Sequence, residues 1–185
     1  MRNAFCFSLV VSGLLALTLC ARPVAAGSLS GVDAMTSTII QHDQSSFSGL
    51  GARVRLAPVA GLPGFEVLPG LEYWRNTSTV QIYDIRAERR DATLAADVRY
   101  RVTTHGWSPY LGAGFGIHFL SSEVHAPLLG VPSESHSIIK GGLAVLGGLS
   151  FPLAGAFESF LEAKYHGVSS YEQLKLSWGL AYNIP

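Results

Sequence analysis

From Ala92 to Val102 every second residue is apolar or aromatic: Ala92, Leu94, Ala96, Val98, Tyr100 and Val102. The intervening positions carry Asp97, Arg99 and Arg101. Alternation with period two marks a β-strand, because successive side chains point to opposite faces. Seven further stretches carry the same signature or a fully apolar variant of it. They are 29–41, 47–57, 65–75, 108–119, 137–151, 156–167 and 172–184, and with 89–102 they predict eight strands. In 47–57, Leu50, Ala52, Val54 and Leu56 oppose Gly51, Arg53 and Arg55; in 108–119, Leu111, Ala113, Phe115 and Ile117 oppose Tyr110, Gly112, Gly114, Gly116 and His118. Helix signals are nearly absent.

The connections add a second regularity. Short turns at 58–63, 104–107 and 152–155 alternate with longer or more polar connections at 42–46, 76–88, 121–137 and 168–171. An up-and-down barrel with tight turns at one end and loops at the other reads this way. Strands of ~10–14 residues suffice to cross a bilayer at a tilt.

Collected by parity, the polar faces hold Arg53, Arg55, Glu66, Glu72, Asp97, Arg99, Arg101, Glu158, Glu162, Lys164 and Lys175, with His118. Six are fixed cations and five are fixed anions. Near balance points to mutual pairing inside a narrow tube, since buried charge survives only when paired and hydrogen-bonded. Eight strands enclose an interior that side chains just fill. The opposite faces carry Leu, Val, Ala and Phe, with Tyr73, Tyr100, Tyr165, Trp178 and Tyr182 suited to membrane-interface girdles. The expectation is therefore an all-β, eight-stranded antiparallel up-and-down transmembrane β-barrel, its lumen closed by paired charges and its outer wall in lipid.

The chain of 185 residues opens with Arg2, an apolar run from Phe5 to Leu19 and the small-residue stretch "ARPVAAG". That pattern reads as a secretory signal peptide over 1–26, cleaved before Gly27, with the barrel domain over 27–185. A lipoprotein signal ending at Cys20 is the rival; bulky Leu19 argues against it. Cys6 and Cys20 both fall in this segment, so no disulfide is expected afterwards. Removing Arg2 and Arg22 leaves 11 of the 13 basic residues against 13 acidic ones, a balance that draws no nucleic acid. No later stretch is apolar enough for a membrane-spanning helix.

"PYLGAGFGIHF", followed by "FLEAKYHGVSSYEQLKLSWGLAY", resembles the outer-membrane β-barrel family of small OmpA-like and OmpX-like proteins over roughly 29–184. The resemblance implies both termini in the periplasm, insertion by the barrel-assembly machinery, and lipid and lipopolysaccharide of the bacterial outer membrane as solvent. It implies no cofactor. Family members commonly end on an aromatic residue, whereas Tyr182 here is followed by Asn183, Ile184 and Pro185. The peptidoglycan-tethering role of larger relatives is not expected.

Candidate chemistry is sparse. His118, His125, His136 and His166 lack the tight spacing to Cys or carboxylate that metal ligation needs. "YHGVSSYE" offers His166, Ser169, Ser170 and Glu172 for a lipopolysaccharide deacylase, but His-x-Ser on one strand face is missing. Asn76-Thr77-Ser78 reads as loop. The stretch 121–137, with its apolar "APLLGVP", is the best candidate for an external contact. The sequence thus favours a non-catalytic envelope or surface-interaction role. A lipopolysaccharide-modifying enzyme is the first alternative. A soluble exported lipocalin-like barrel, with charge outside and Leu, Val and Phe lining a cavity, is the second.

Overall fold

The computed structural model describes residues 28–42, 45–57, 62–80, 85–103, 106–126, 131–168 and 171–184. The segment read as a signal peptide lies outside them. Eight strands follow in chain order: β1 (Ser28–Gln41), β2 (Phe47–Ala57), β3 (Phe65–Val80), β4 (Ile85–Arg101), β5 (Ser108–Ala126), β6 (Val131–Pro152), β7 (Phe157–Val168) and β8 (Tyr171–Asn183). Each pairs antiparallel with its neighbours, and β1 pairs with β8 to close the barrel. Closure matters in hydrocarbon, where an unpaired backbone edge finds no partner.

Parity decides which face meets what. Leu111 and Leu143 are each 72% exposed on the outer wall, while Arg99 on the inner face is 1% exposed. Asp97 and Arg101 are likewise buried, and Val98 and Tyr100 stand outside. This is the reverse of a soluble barrel, so the lipocalin-like alternative fails on the geometry. At the turn end, Phe65 packs on Tyr100, Phe157 on Tyr182 and Trp107 on Phe151, with ring centroids 5.0, 5.2 and 5.6 Å apart. Such rings suit the boundary between hydrocarbon and water. Outward Trp178 donates its indole N–H to Ser159 Oγ at 3.0 Å, so this donor is satisfied without water.

The tight turns need left-handed backbone. Gly64 has φ 86° and Gly155 has φ 57°, a region that glycine enters without a Cβ clash. Inside, glycine makes room rather than bends. A Cβ on Gly114 would strike the Asp97 carboxylate, one on Gly148 the Tyr110 ring, and one on Gly112 the Val98 carbonyl of the neighbouring strand.

Two expected loops are largely strand. β3 and β4 run through most of 76–88, with Asn76, Thr77 and Ser78 inside β3; β5 and β6 run through most of 121–137. The physical reason is solvent. Beyond the apolar band both faces of the sheet are polar, so alternation fades while the hydrogen-bonded ladder continues, as in Thr77↔Glu88 and Ser122↔His136. Four strands thus rise past the rest as a sheet. Residues 127–130, the centre of "APLLGVP", lie outside the described residues.

The outer face of this extension carries a charge triad. Arg75 Nη2 meets Glu88 Oε2 at 2.5 Å, and Arg90 bonds the other carboxylate oxygen. Burial raises the Glu88 pKa, but the hydrogen bonds from Arg90 and Arg75 outweigh it and hold the carboxyl below its ordinary value. A depressed carboxyl contributes stability that is present above its unfolded pKa and is lost as pH falls through the folded one. Amide exchange in residues 75–78 and 86–90, corrected for its intrinsic pH dependence, should therefore accelerate below the ordinary carboxylate range in wild type. In Glu88→Gln it should already be fast at neutral pH; identical profiles would remove the triad's role.

Candidate functional site

The lumen is filled in tiers by residues that alternate parity brings inward. At the turn end, Asp33 of β1 sits between two guanidiniums, at 2.9 Å from Arg53 Nε and 2.9 Å from Arg55 Nε. Arg53 also reaches Glu162 with Nη1 at 2.9 and 3.0 Å from its two oxygens. Arg101 spans Glu66 at 3.3 Å and Glu158 at 3.0 Å, and Arg99 meets Glu66 at 2.5 Å. Aromatic rings support the cations: Arg53 lies over Phe160, and Arg99 over Tyr110, whose hydroxyl donates to Glu162 at 3.0 Å. Above this tier, Lys164 joins Glu72 (2.8 Å) and Asp97 (2.6 Å), and Lys175 joins Glu72.

All eleven charges expected from parity lie in this network. The sequence reading missed Asp33, which brings six fixed cations against six fixed anions. Its strand, β1, has the faintest alternation, but Asp33 shares inward parity with Met35 and Ile39. Pairing of this density offsets the desolvation of charges taken out of water, while leaving any single member costly to remove. Met35, Phe160 and Ala181 complete the filling as a small apolar cluster.

A third tier lies nearer the loop-side mouth. Asp91, Thr93, His118 and His166 are fully buried. Asp91 Oδ2 lies 2.8 Å from His118 Nδ1 and accepts hydrogen bonds from Thr93 Oγ1 (3.2 Å) and Tyr171 OH (2.9 Å). His118 Nε2 is 3.3 Å from His166 Nδ1. A hydrolytic triad needs its carboxylate on one imidazole nitrogen and its nucleophile on the other. Here Thr93 Oγ1 and Asp91 both crowd Nδ1, and the other nitrogen faces a second imidazole. Glu172 is exposed where His166 is buried, so "YHGVSSYE" does not gather its groups on one face; Ser169 and Ser170 lie outside the described residues. His136 is exposed at the mouth, and the side chain of His125 is likewise outside the described set.

Asp91 was legible by parity, four residues before Ala95 on the lumen face, but the strand reading counted only from Ala92; Thr93 stood on that face in the reading without being singled out. Parity also set Tyr110 on the face of His118, whereas Tyr171 fell in the stretch 168–171 read as a connection, one residue before the strand reading began.

Above the third tier the lumen opens into a cavity of about 510 Å³. Trp74, Leu120 and Ile138 line one wall in a cross-strand row, and Arg89, Ser122 and His136 line the next row outward. Gln41 and Tyr171 face them.

No family model matches the sequence, and no curated protein does. Solved structures do. A major outer membrane protein from Thermus thermophilus superposes with TM-score 0.62 at 15% identity, covering 85% of this chain and 100% of that one. The attachment invasion locus protein Ail of Yersinia pestis gives 0.58 at 15% identity, covering 85% and 99%. The outer membrane enzyme PagL gives 0.53 at 15% identity, covering 82% and 99%. At such identities the likeness establishes the fold alone: the small eight-stranded barrel of outer-membrane proteins.

Proposed function

We propose that this chain, built on the small outer-membrane barrel fold, is a bacterial outer-membrane protein whose barrel is a non-catalytic anchor for a surface-exposed sheet. Residues 1–26 serve export, and the tight turns with both termini face the periplasm. The observation that carries the reading is the four-stranded extension. Among the described residues, β6 has no register partner on the β7 side before Gly142, so residues 131–141 form an open edge, and on the β2 side β3 is unpaired beyond Trp74. Open edges offer backbone donors and acceptors to another strand, and they lie where external partners arrive. The ionic lumen supports an anchor rather than a pore, and both ring nitrogens of the buried His118 are engaged, one by Asp91 and one by His166.

An epitope inserted within 127–130 tests orientation and compartment together. It should be stained on intact cells, with the chain in the outer-membrane fraction and compact in detergent until boiled. Staining only after permeabilisation, or extraction without detergent, would overturn the proposal. Replacing 121–137 by Asn-Gly joins the paired residues Leu120 and Ile138 through a two-residue turn. That variant should assemble with an unchanged heat shift, since the barrel wall lies below the cut; loss of assembly would make the hairpin part of the barrel's own stability.

A further inference from the structure

We infer that the cavity at the loop-side mouth binds a small organic anion, one acidic head group on an apolar body. The inference stands apart from the surface role: the open edges and the cavity can succeed or fail separately. Its volume, about 510 Å³, falls in the range of small-molecule sites, roughly 300–1,000 Å³.

Three observations select the ligand. First, each charge of the barrel's ionic tiers has an opposite partner, but Arg89 has none among the described residues, although it faces the cavity. Neighbouring Arg90 is taken up by Glu88 on the outer face. Second, Trp74 lines the wall at 3% exposure, and its indole N–H has no acceptor among the described residues. A buried donor without a partner favours a ligand that brings an oxygen. Third, beyond Asp91, whose carboxylate is taken up by His118, Thr93 and Tyr171, the wall toward water is apolar: Leu120 and Ile138 are adjacent in the β5–β6 ladder, with Ile138 54% exposed toward the open mouth. An acidic group on Arg89 then places its hydrocarbon on these side chains. The other ionisable groups at the rim, His42, His136 and Glu172, do not reverse the preference: Glu172 is already hydrogen-bonded by Tyr165. A guanidinium is well matched to a carboxylate or sulfate fork.

The chain's three tryptophans are Trp74, Trp107 and Trp178, so Trp107→Phe with Trp178→Phe leaves Trp74 as the sole indole reporter. This protein, folded in phosphatidylcholine nanodiscs, is titrated with cyclohexanecarboxylate and, separately, with neutral cyclohexanecarboxamide. Trp74 emission should change saturably with the acid, and the amide should bind at least about tenfold more weakly, the loss expected for one charge-assisted contact. Arg89→Gln should weaken the acid by a similar factor, and Ile138→Ser should weaken both compounds; a heat-shift gel verifies folding of each variant. Anionic lipid in the disc separates sources: competition with the acid makes a lipid head group the occupant, and no competition makes it a solute. A linear response, equal binding of acid and amide, indifference to Arg89→Gln, or no response to either compound overturns the inference.

Discussion

Arg53→Met should lower the stability of the folded barrel by about 3–5 kcal/mol, the cost of breaking a buried ion pair from one side. The side chains of Arg53, Asp33 and Glu162 are 2%, 0% and 1% exposed, so the abandoned carboxylates cannot be rescued by water. Asp33 retains Arg55, but Glu162 keeps only the Tyr110 hydroxyl. Adding Glu162→Gln should recover much of the loss, because the amide is neutral and its oxygen still accepts from Tyr110. Denaturant midpoints of wild type, single and double variants in lipid vesicles measure both steps. Equal loss in single and double variants would assign the effect to Arg53's packing on Phe160 instead of to charge.

Val145→Arg is expected to cost about 2–4 kcal/mol in a bilayer, the penalty for a cation near the midplane of a barrel's lipid face. Val145 is 59% exposed and stands midway along the wall, between Ala113 of β5 and Tyr165 of β7. In water the same surface substitution would fall within about ±0.5 kcal/mol. The measured value therefore reports which solvent the outer wall meets. Thr77→Arg, on the outward face of the extension beyond the apolar band, should cost far less; equal costs would contradict a lipid-facing wall.

The two substitutions probe features that differ in how plainly they are written. Alternation along 47–57, 89–102, 108–119 and 172–184 is visible because lipid and lumen impose opposite polarity on neighbouring residues. Wherever both solvents act, strand, face and inward charge follow from parity, as at Arg53, Asp97 and Lys175. Where only one solvent acts, the code is silent. Thr77, Ser122 and His136 are exposed beyond the apolar band, where both sheet faces carry polar residues, so strands there read as loop. Asp33 is the converse case: an inward charge in a strand whose remaining lumen residues, Met35 and Ile39, are apolar and disguise the face.

By itself, the sequence determined the number of strands, the direction of each face and eleven of the interior's charges, because a two-residue repeat between unlike solvents leaves a local mark. Only the tertiary structure decided who pairs with whom: that Arg53 bridges β1 and β7, that Asp91 takes His118, and that Arg89 faces a cavity with no partner among the described residues. Pairing across a closed tube depends on register and curvature, which set distances between residues up to 109 positions apart and leave no periodic trace along the chain.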